Sequence, residues 1–357
     1  MSTRIYLDHA ATTPLLPAAR EAMAEGFARW ANPSSPHAEG RAAKAALEAA
    51  RGEVAAAYGW VGEMLFTSGA SESLSIALTR SAVERRLASA VEHDAVLRAA
   101  YDIALVEVGA DGIVDTGALD VAMLGEGRAV VAVQWCNSET GIRQPIAALA
   151  EQIHAAGHLL LVDAAQMPAG TDRDVARHAD FVALSAHKRG GPIGVGALLV
   201  RDLATLDPTG GQERGYRPGT ENVPAILGYA AALAEREDVL RYAELRRYLD
   251  DALTPLGGEP VRAAALRHPA IGSYRMPGVN STTQLIRFDM AGIAVSAGSA
   301  CASGSMKPSH VLTAMGWGMT ASQEVVRVSF GRSTTQADLD AFIAVWREIA
   351  AGRAQAA

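Results

Sequence analysis

Lys188 stands in "ALSAHKRGGPIGVGALLV", after an apolar run and before a glycine-rich turn. A primary amine there can form a Schiff base with a carbonyl compound, or it can be a solvated strand-end cation. Three other stretches bear on that choice. "LLLVDAAQ" puts Asp163 at the end of a buried-type run, where ligands of open α/β sheets bind. A carboxylate there can keep a pyridine nitrogen protonated, or it can cap a turn. "FTSGASES" passes from a strand through a tight turn onto a helix start. The free N–H groups of that first turn, with the Ser71 hydroxyl, can hold a phosphate. In "SAVEHDAV", His93 can stack on a planar cofactor or shuttle a proton, and it can equally be structural. Lysine, carboxylate and phosphate nest converge on pyridoxal 5'-phosphate bound as a lysine Schiff base.

Such residues need elements that bring several strand ends to one edge. The first two-thirds of the chain supplies them by alternating strand-like and helical runs. Residues 40–59 read as a helix with Gly59 as its C-cap, and 63–84 as a short strand, a turn and a helix. A buried-type strand covers 128–136, a helix runs into a strand ending at Asp163, and two further strands lie in 179–188 and 194–202. That alternation predicts βαβ units and a largely parallel sheet covered on both faces. After residue 250 the pattern changes. "LRYAELRRYLDDALTPLGGEP" reads as a long helix with a Pro/Gly break, followed by strands in 282–288 and 324–330 and a closing helix. This is the pattern of a smaller α+β domain.

At 357 residues, two domains or one large α/β domain are expected. The formal charge of −7 argues against nucleic acid or an anionic membrane as partner. "MSTRIYLDHAATTPLLP" has no apolar signal core and no run reaches the ~18 apolar residues of a membrane span. The expected location is cytoplasmic. Two cysteines make a disulfide framework a poor fit and favour a reducing compartment. Cys136 reads as buried packing. Cys301 stands among small residues in "SAGSACASGSMKPS", which reads as a mobile loop and is an unusual place for a thiol. "HAAGH" has the spacing of a metal pair but no third ligand, so no metal is expected. "REDVLRYAELRRYLDD" mixes both charge signs and reads as a solvated helix face.

Ten stretches in order, from "YLDHAATTP" through "NPSSPHAEGR", "CNSETG", "RPGTENVPAILG" and "GSACASGS" to "VRVSFGRSTT", give the chain a resemblance over nearly its whole length. It resembles the NifS-like cysteine desulfurases, in the class V aminotransferase group of fold-type-I pyridoxal-phosphate enzymes. The resemblance implies an α/β, fold-type-I PLP-dependent transferase. Its large domain, 15–250, would have a mainly parallel, seven-stranded-type sheet flanked by helices. Residues 1–14 and 251–357 would form the smaller α+β domain carrying the Cys301 loop. It implies that Lys188 carries the cofactor, Asp163 pairs with its ring nitrogen and Gln166 meets its phenolic oxygen. His93 would stack on the ring and transfer protons, while Ser71, Ser185 and His187 hold the phosphate. Thr220 would reach the phosphate of the neighbouring subunit, so a homodimer with shared active sites is implied. Arg327 would bind the carboxylate of L-cysteine, a task suited to a guanidinium. The Cys301 thiolate would attack the substrate's sulfur and keep it as a persulfide. That sulfur would pass to an acceptor such as an iron–sulfur scaffold protein, or into thio-modification, and the substrate would leave as alanine.

Three features depart from the family pattern. His9 stands where asparagine is usual, Ser138 replaces a second asparagine and leaves Asn137 to compensate, and the chain ends soon after its last helix. Other readings are a class V aminotransferase, which has no need of Cys301, a selenocysteine lyase, and a non-catalytic partner protein of the same fold.

Overall fold

The computed structural model describes residues 4–262, 264–298 and 308–356, with side chains through 352. Cys301 and residues 299–307 of the loop expected around it lie outside the described residues.

Seven strands form the main sheet. Their order is Glu63–Thr67, Gly196–Val200, Phe181–Ser185, Leu159–Asp163, Ala129–Gln134, Arg85–Ser89 and Ile103–Val106. Gly196–Val200 runs antiparallel to both neighbours, and the other pairings are parallel. The sheet is therefore mainly parallel, as expected. Ala129–Gln134 and Leu159–Asp163 are buried at every position, which is why they read as continuous apolar runs rather than alternating ones. Helices cover both faces. One face packs against Leu47, Val54, Leu149, Ile153 and Tyr229, the other against Leu74, Leu78 and Val96. The helix Ala38–Ala57 buries Ala43, Leu47, Ala50 and Val54 at three- and four-residue intervals. It ends before Gly59, whose φ of 65° is the left-handed conformation that suits glycine after a helix.

A second core forms around Tyr274, Phe288, Val326, Phe342 and Trp346, with the Phe288 and Phe342 rings stacked at 4.5 Å. It lies with a three-stranded antiparallel sheet of Val325–Ser329, Ile271–Arg275 and Glu259–Pro260. Ile5–Tyr6 pairs in parallel with Ile293–Ala294, so the N-terminal segment packs with the C-terminal part of the chain.

Two expectations fail here. Residues 282–288 are not a strand but part of the helix Ser281–Met290. The paired threonines and the isoleucine suggest a strand, but Asn280 caps the helix start by accepting from the Thr282 N–H. Gln284 and Phe288, four residues apart, then share its buried side. The "solvated" helix face also contains one buried cation. Arg246 is 5% exposed. Its Nη1 donates to the Tyr274 hydroxyl at 2.6 Å and its Nη2 to the Val328 carbonyl at 3.0 Å, while the guanidinium lies over Phe330.

Candidate active site

The parallel ladder lines up strand ends on one edge of the main sheet. Asp163 ends one strand and Ser185 the next, so the chain turns into His187 and Lys188 beside that carboxylate. At the far side of the same edge, Glu63–Thr67 turns at Gly69 into the helix Ala70–Arg80. The turn can only be glycine. Its φ is 154°, which side chains rarely adopt, and the facing residue must be glycine too, because a Cβ on Gly196 would lie 2.7 Å from the Gly69 Cα. The first-turn N–H groups and Ser71 thereby open onto a cleft of about 490 Å³. That cleft also receives His93, Asp163, Ser185, His187, Lys188 and Arg327.

The electrostatics suit an anionic, ring-containing guest. Asp163 accepts the Ala165 N–H on Oδ1 at 2.9 Å, which fixes the carboxyl at its strand end. His93 accepts the Ala95 N–H on Nδ1 at 3.1 Å. Burial, and after it the charge of Lys188, lower its pKa, so the ring is neutral with its proton on Nε2. His187 meets the Thr12 hydroxyl through Nδ1 at 3.1 Å. Burial, with the charges of Lys188 and Arg189, lowers its pKa to about 4. Two neutral imidazoles, an amine, a fixed carboxylate and a helix start with free amides can together hold a phosphorylated heteroaromatic aldehyde. The donor set fits such a group.

Arg327 comes from the smaller sheet. Its Nη1 donates to the Ser138 carbonyl at 3.0 Å and its Nη2 to Asp8 Oδ1 at 2.6 Å, and its Nε has no partner among the described residues. Residue 138 therefore serves Arg327 through its main chain, which the exchange of asparagine for serine leaves intact.

Not every expected residue meets the cleft. Asn137 does not line the cleft, and its side chain is engaged locally. Its Nδ2 donates to the Val91 carbonyl at 3.0 Å, and its Oδ1 accepts from the N–H groups of Glu139 and Thr140 and from the Thr140 hydroxyl. It shapes the "NSETG" turn instead. Gln166 is buried behind the cleft, with Nε2 donating to the Ala10 carbonyl at 2.9 Å. Thr220 is exposed and does not line the cleft. Cys136 is buried beyond the end of its strand, with its thiol pushed up to about 12 by burial, and so is inert packing.

Other residues at the site were not singled out from the sequence. Asp8, inside "YLDHAATTP", holds Arg327. Glu92, the neighbour of His93, is fully buried beside Asp163. Desolvation, and after it the Asp163 charge, raise its pKa well above the carboxylate range. Its Oε1 accepts from Ser89 and the Gln134 N–H, and its Oε2 has no partner among the described residues. Both stand in quoted motifs, and their adjacency to His9 and His93 was the available signal. Among the described residues no cluster of His, Cys, Asp or Glu could hold a metal, and no helix is long and apolar enough to cross a membrane.

The Aminotransferase class-V family model matches residues 5–342. A cysteine desulfurase of Rhodobacter capsulatus is 39% identical over 97% of this chain and 96% of its own length. A protein named cysteine desulfurase IscS, from an Anaeromyxobacter strain, is 37% identical over 95% of this chain and 91% of its own. Among solved structures, a NifS-like protein from Rickettsia africae superposes with a TM-score of 0.88 at 29% identity, covering 97% of this chain and 99% of that one.

Proposed function

The chain belongs to the aminotransferase class-V family, and on that premise we propose that it is a cysteine desulfurase dependent on pyridoxal 5'-phosphate. It removes sulfur from L-cysteine, leaving L-alanine and a persulfide on Cys301. The observation that carries this reading is the meeting of Lys188, Asp163, a helix-start anion cup and Arg327 in one cleft.

The residues divide by task. Ser71, Ser185, His187 and the first-turn amides of Ala70–Arg80 hold the phosphate. Asp163 holds the ring nitrogen protonated, Lys188 makes the covalent attachment, and His93 covers the ring. Bound there, the cofactor supplies an electron sink for a bond broken at the substrate's α-carbon. The amine of Lys188 and Nε2 of His93 are the groups that move protons at the substrate carbons. Arg327 takes the substrate carboxylate, which replaces Asp8 at the guanidinium. At Cys301 the thiolate attacks the substrate sulfur. An S–S bond forms as the substrate's C–S bond breaks, and the electron pair stays with carbon.

Thr220, exposed in "RPGTENVP", serves the phosphate of a second copy of this chain, which makes a homodimer the working unit. Residues 15–250 form the cofactor-binding domain, while 1–14 and 251–357 form the domain that carries Arg327 and Cys301. The persulfide is passed to an acceptor protein such as an iron–sulfur scaffold, in the cytoplasm.

The test is release of alanine and sulfide from L-cysteine with a reductant present, comparing wild type with Cys301→Ala. Equal amounts of the two products in wild type, lost in the variant, are expected. A variant as active as wild type, or cofactor binding with no sulfide formed, overturns the reading.

A further inference from the structure

Ser296 and Ser309 flank Cys301 in the sequence, and both are buried. One small part of the site holds them. Ser296 exchanges main-chain bonds with Arg327: the Arg327 N–H donates to the Ser296 carbonyl at 2.7 Å, and the Ser296 N–H to the Arg327 carbonyl at 3.3 Å. Ser309 is held by a side chain from the "NSETG" turn. Its hydroxyl donates to Glu139 Oε2 at 2.6 Å and accepts the Leu312 N–H at 3.1 Å, which caps the helix His310–Ala314. A hydroxyl has a single proton, so the direction of both bonds is fixed.

Glu139 is itself built in. Its N–H donates to Asn137 Oδ1 at 2.9 Å, its carbonyl accepts the Ser273 hydroxyl at 2.6 Å, and the residue before it, Ser138, gives its carbonyl to Arg327. The turn thus touches the substrate-carboxylate residue through 138 and the far flank of Cys301 through 139. The Glu139 carboxyl is buried, which raises its pKa, against the pull of the Ser309 bond and of the His310 and Arg327 charges. An apolar side chain would fill that space without the desolvation cost, so the carboxyl is there for the bond it makes. The same flank has a second tie, because His310 Nε2 donates to the carbonyl of Glu92, next to His93, at 2.9 Å. His93, Ser138, Glu139, His310 and Arg327 together line a recess of about 40 Å³.

We propose that Glu139 is a positioning residue for sulfur transfer: through Ser309 it fixes the C-terminal anchor of the Cys301 stretch to the turn that holds Arg327. The inference rests on the desulfurase reading and gives a task to a carboxyl which that reading leaves idle. A nucleophile tethered at two fixed points reacts as an intramolecular group. Loosening one anchor lowers its effective concentration at the substrate and leaves substrate binding intact.

The experiment uses the full-length holoprotein. Stopped-flow absorbance follows the change in the cofactor spectrum as L-cysteine binds, and quenched single turnovers follow alanine. In Glu139→Ala the spectral change should keep its rate and cysteine dependence within about twofold, while alanine formation slows about tenfold. Glu139→Gln, whose amide oxygen still accepts from Ser309, should return to within about threefold of wild type. Ser309→Ala should slow alanine formation by a similar factor, and the double variant no further. Without substrate, hydrogen exchange in the helix His310–Ala314 should quicken about tenfold in Glu139→Ala. A wild type that binds L-cysteine and forms no alanine ends the desulfurase reading, and this inference with it. With wild type active, unchanged alanine formation in Glu139→Ala sinks the inference alone. So does a defect confined to the spectral change, which would put the effect on Arg327 through Ser138, or single-variant losses that multiply in the double variant.

Discussion

The two sides of the cleft are held by different kinds of bond. On the sheet side, Asp163 and Ser185 end neighbouring strands, and the ladder that aligns Asp163 with Ala183 and Ser185 with Gly196 sets their positions by backbone pairing. On the other side, Arg327 depends on two side-chain contacts that span the chain, to Asp8 and to the Ser138 carbonyl. The first arrangement is fixed before any ligand arrives. The second is built from contacts a carboxylate can replace. A cofactor that stays needs the former, and a substrate that enters and leaves at every turnover needs the latter.

If that contrast is correct, damage on the sheet side should abolish chemistry, and damage on the Arg327 side should weaken binding. Lys188→Ala is the largest expected effect. The rate should fall by about 10⁴-fold, with loss of the visible absorbance of the lysine-bound cofactor and no change in circular dichroism. A variant within tenfold of wild type would break the comparison at its stronger end.

Arg327→Lys keeps the charge but loses the two-pronged fork. The loss should be about 1.5–3 kcal/mol, or roughly 10–100-fold in kcat/KM, carried mostly by KM for L-cysteine. A fall carried by kcat instead would mean that the guanidinium acts in the transition state, and the two sides would then not differ as described.

Asp8→Asn sharpens the same point, because Asp8 both orients Arg327 and competes with the substrate for it. The neutral amide still accepts one hydrogen bond and orients less strongly. KM should rise about 3–10-fold with kcat little changed, a smaller effect than at Arg327 itself. A lowered KM would show that Asp8 acts chiefly as a competitor.

The same contrast explains what could be read from the sequence. Strand ends, a helix start and a strand-following lysine leave local patterns, so Lys188, Asp163, Ser71, Ser185, His187 and His93 could be named and do meet in the cleft. Contacts made across hundreds of residues leave none. Nothing beside Asp8 in the sequence marks its tie to Arg327, and Arg246 reads as a solvated cation because its partners Tyr274 and Val328 come from strands far along the chain. Asn137 stands apart from the cleft for a different reason. Its side chain closes its own turn, a use that asparagine favours and that composition cannot distinguish from ligand binding. The strand expected at 282–288 failed because two threonines outweighed a helix cap at Asn280.

The remaining effect, on stability rather than on turnover, lies where the two cores meet. His9 is 5% exposed, with its ring edge-on to Tyr6 and so close to Gly331 that a Cβ there would lie 2.1 Å from it. Burial lowers its pKa from 6.5 to about 4, and the Arg189 and Arg332 charges act in the same direction. The folded state therefore resists a proton that the unfolded chain accepts readily. Between pH 6.5 and 4 the unfolded state binds more protons, so stability is full above that window and falls as pH drops through it. For His9 alone the loss by pH 4.5 is about 2–3 kcal/mol. His9→Asn removes the titration without adding a charge. Urea unfolding at pH 7 and pH 4.5 should show wild type losing about 2–3 kcal/mol more than the variant. Equal losses would mean that the ring is wetter than its surroundings indicate, and that the junction of the cores opens to solvent as readily as the Arg327 side of the cleft.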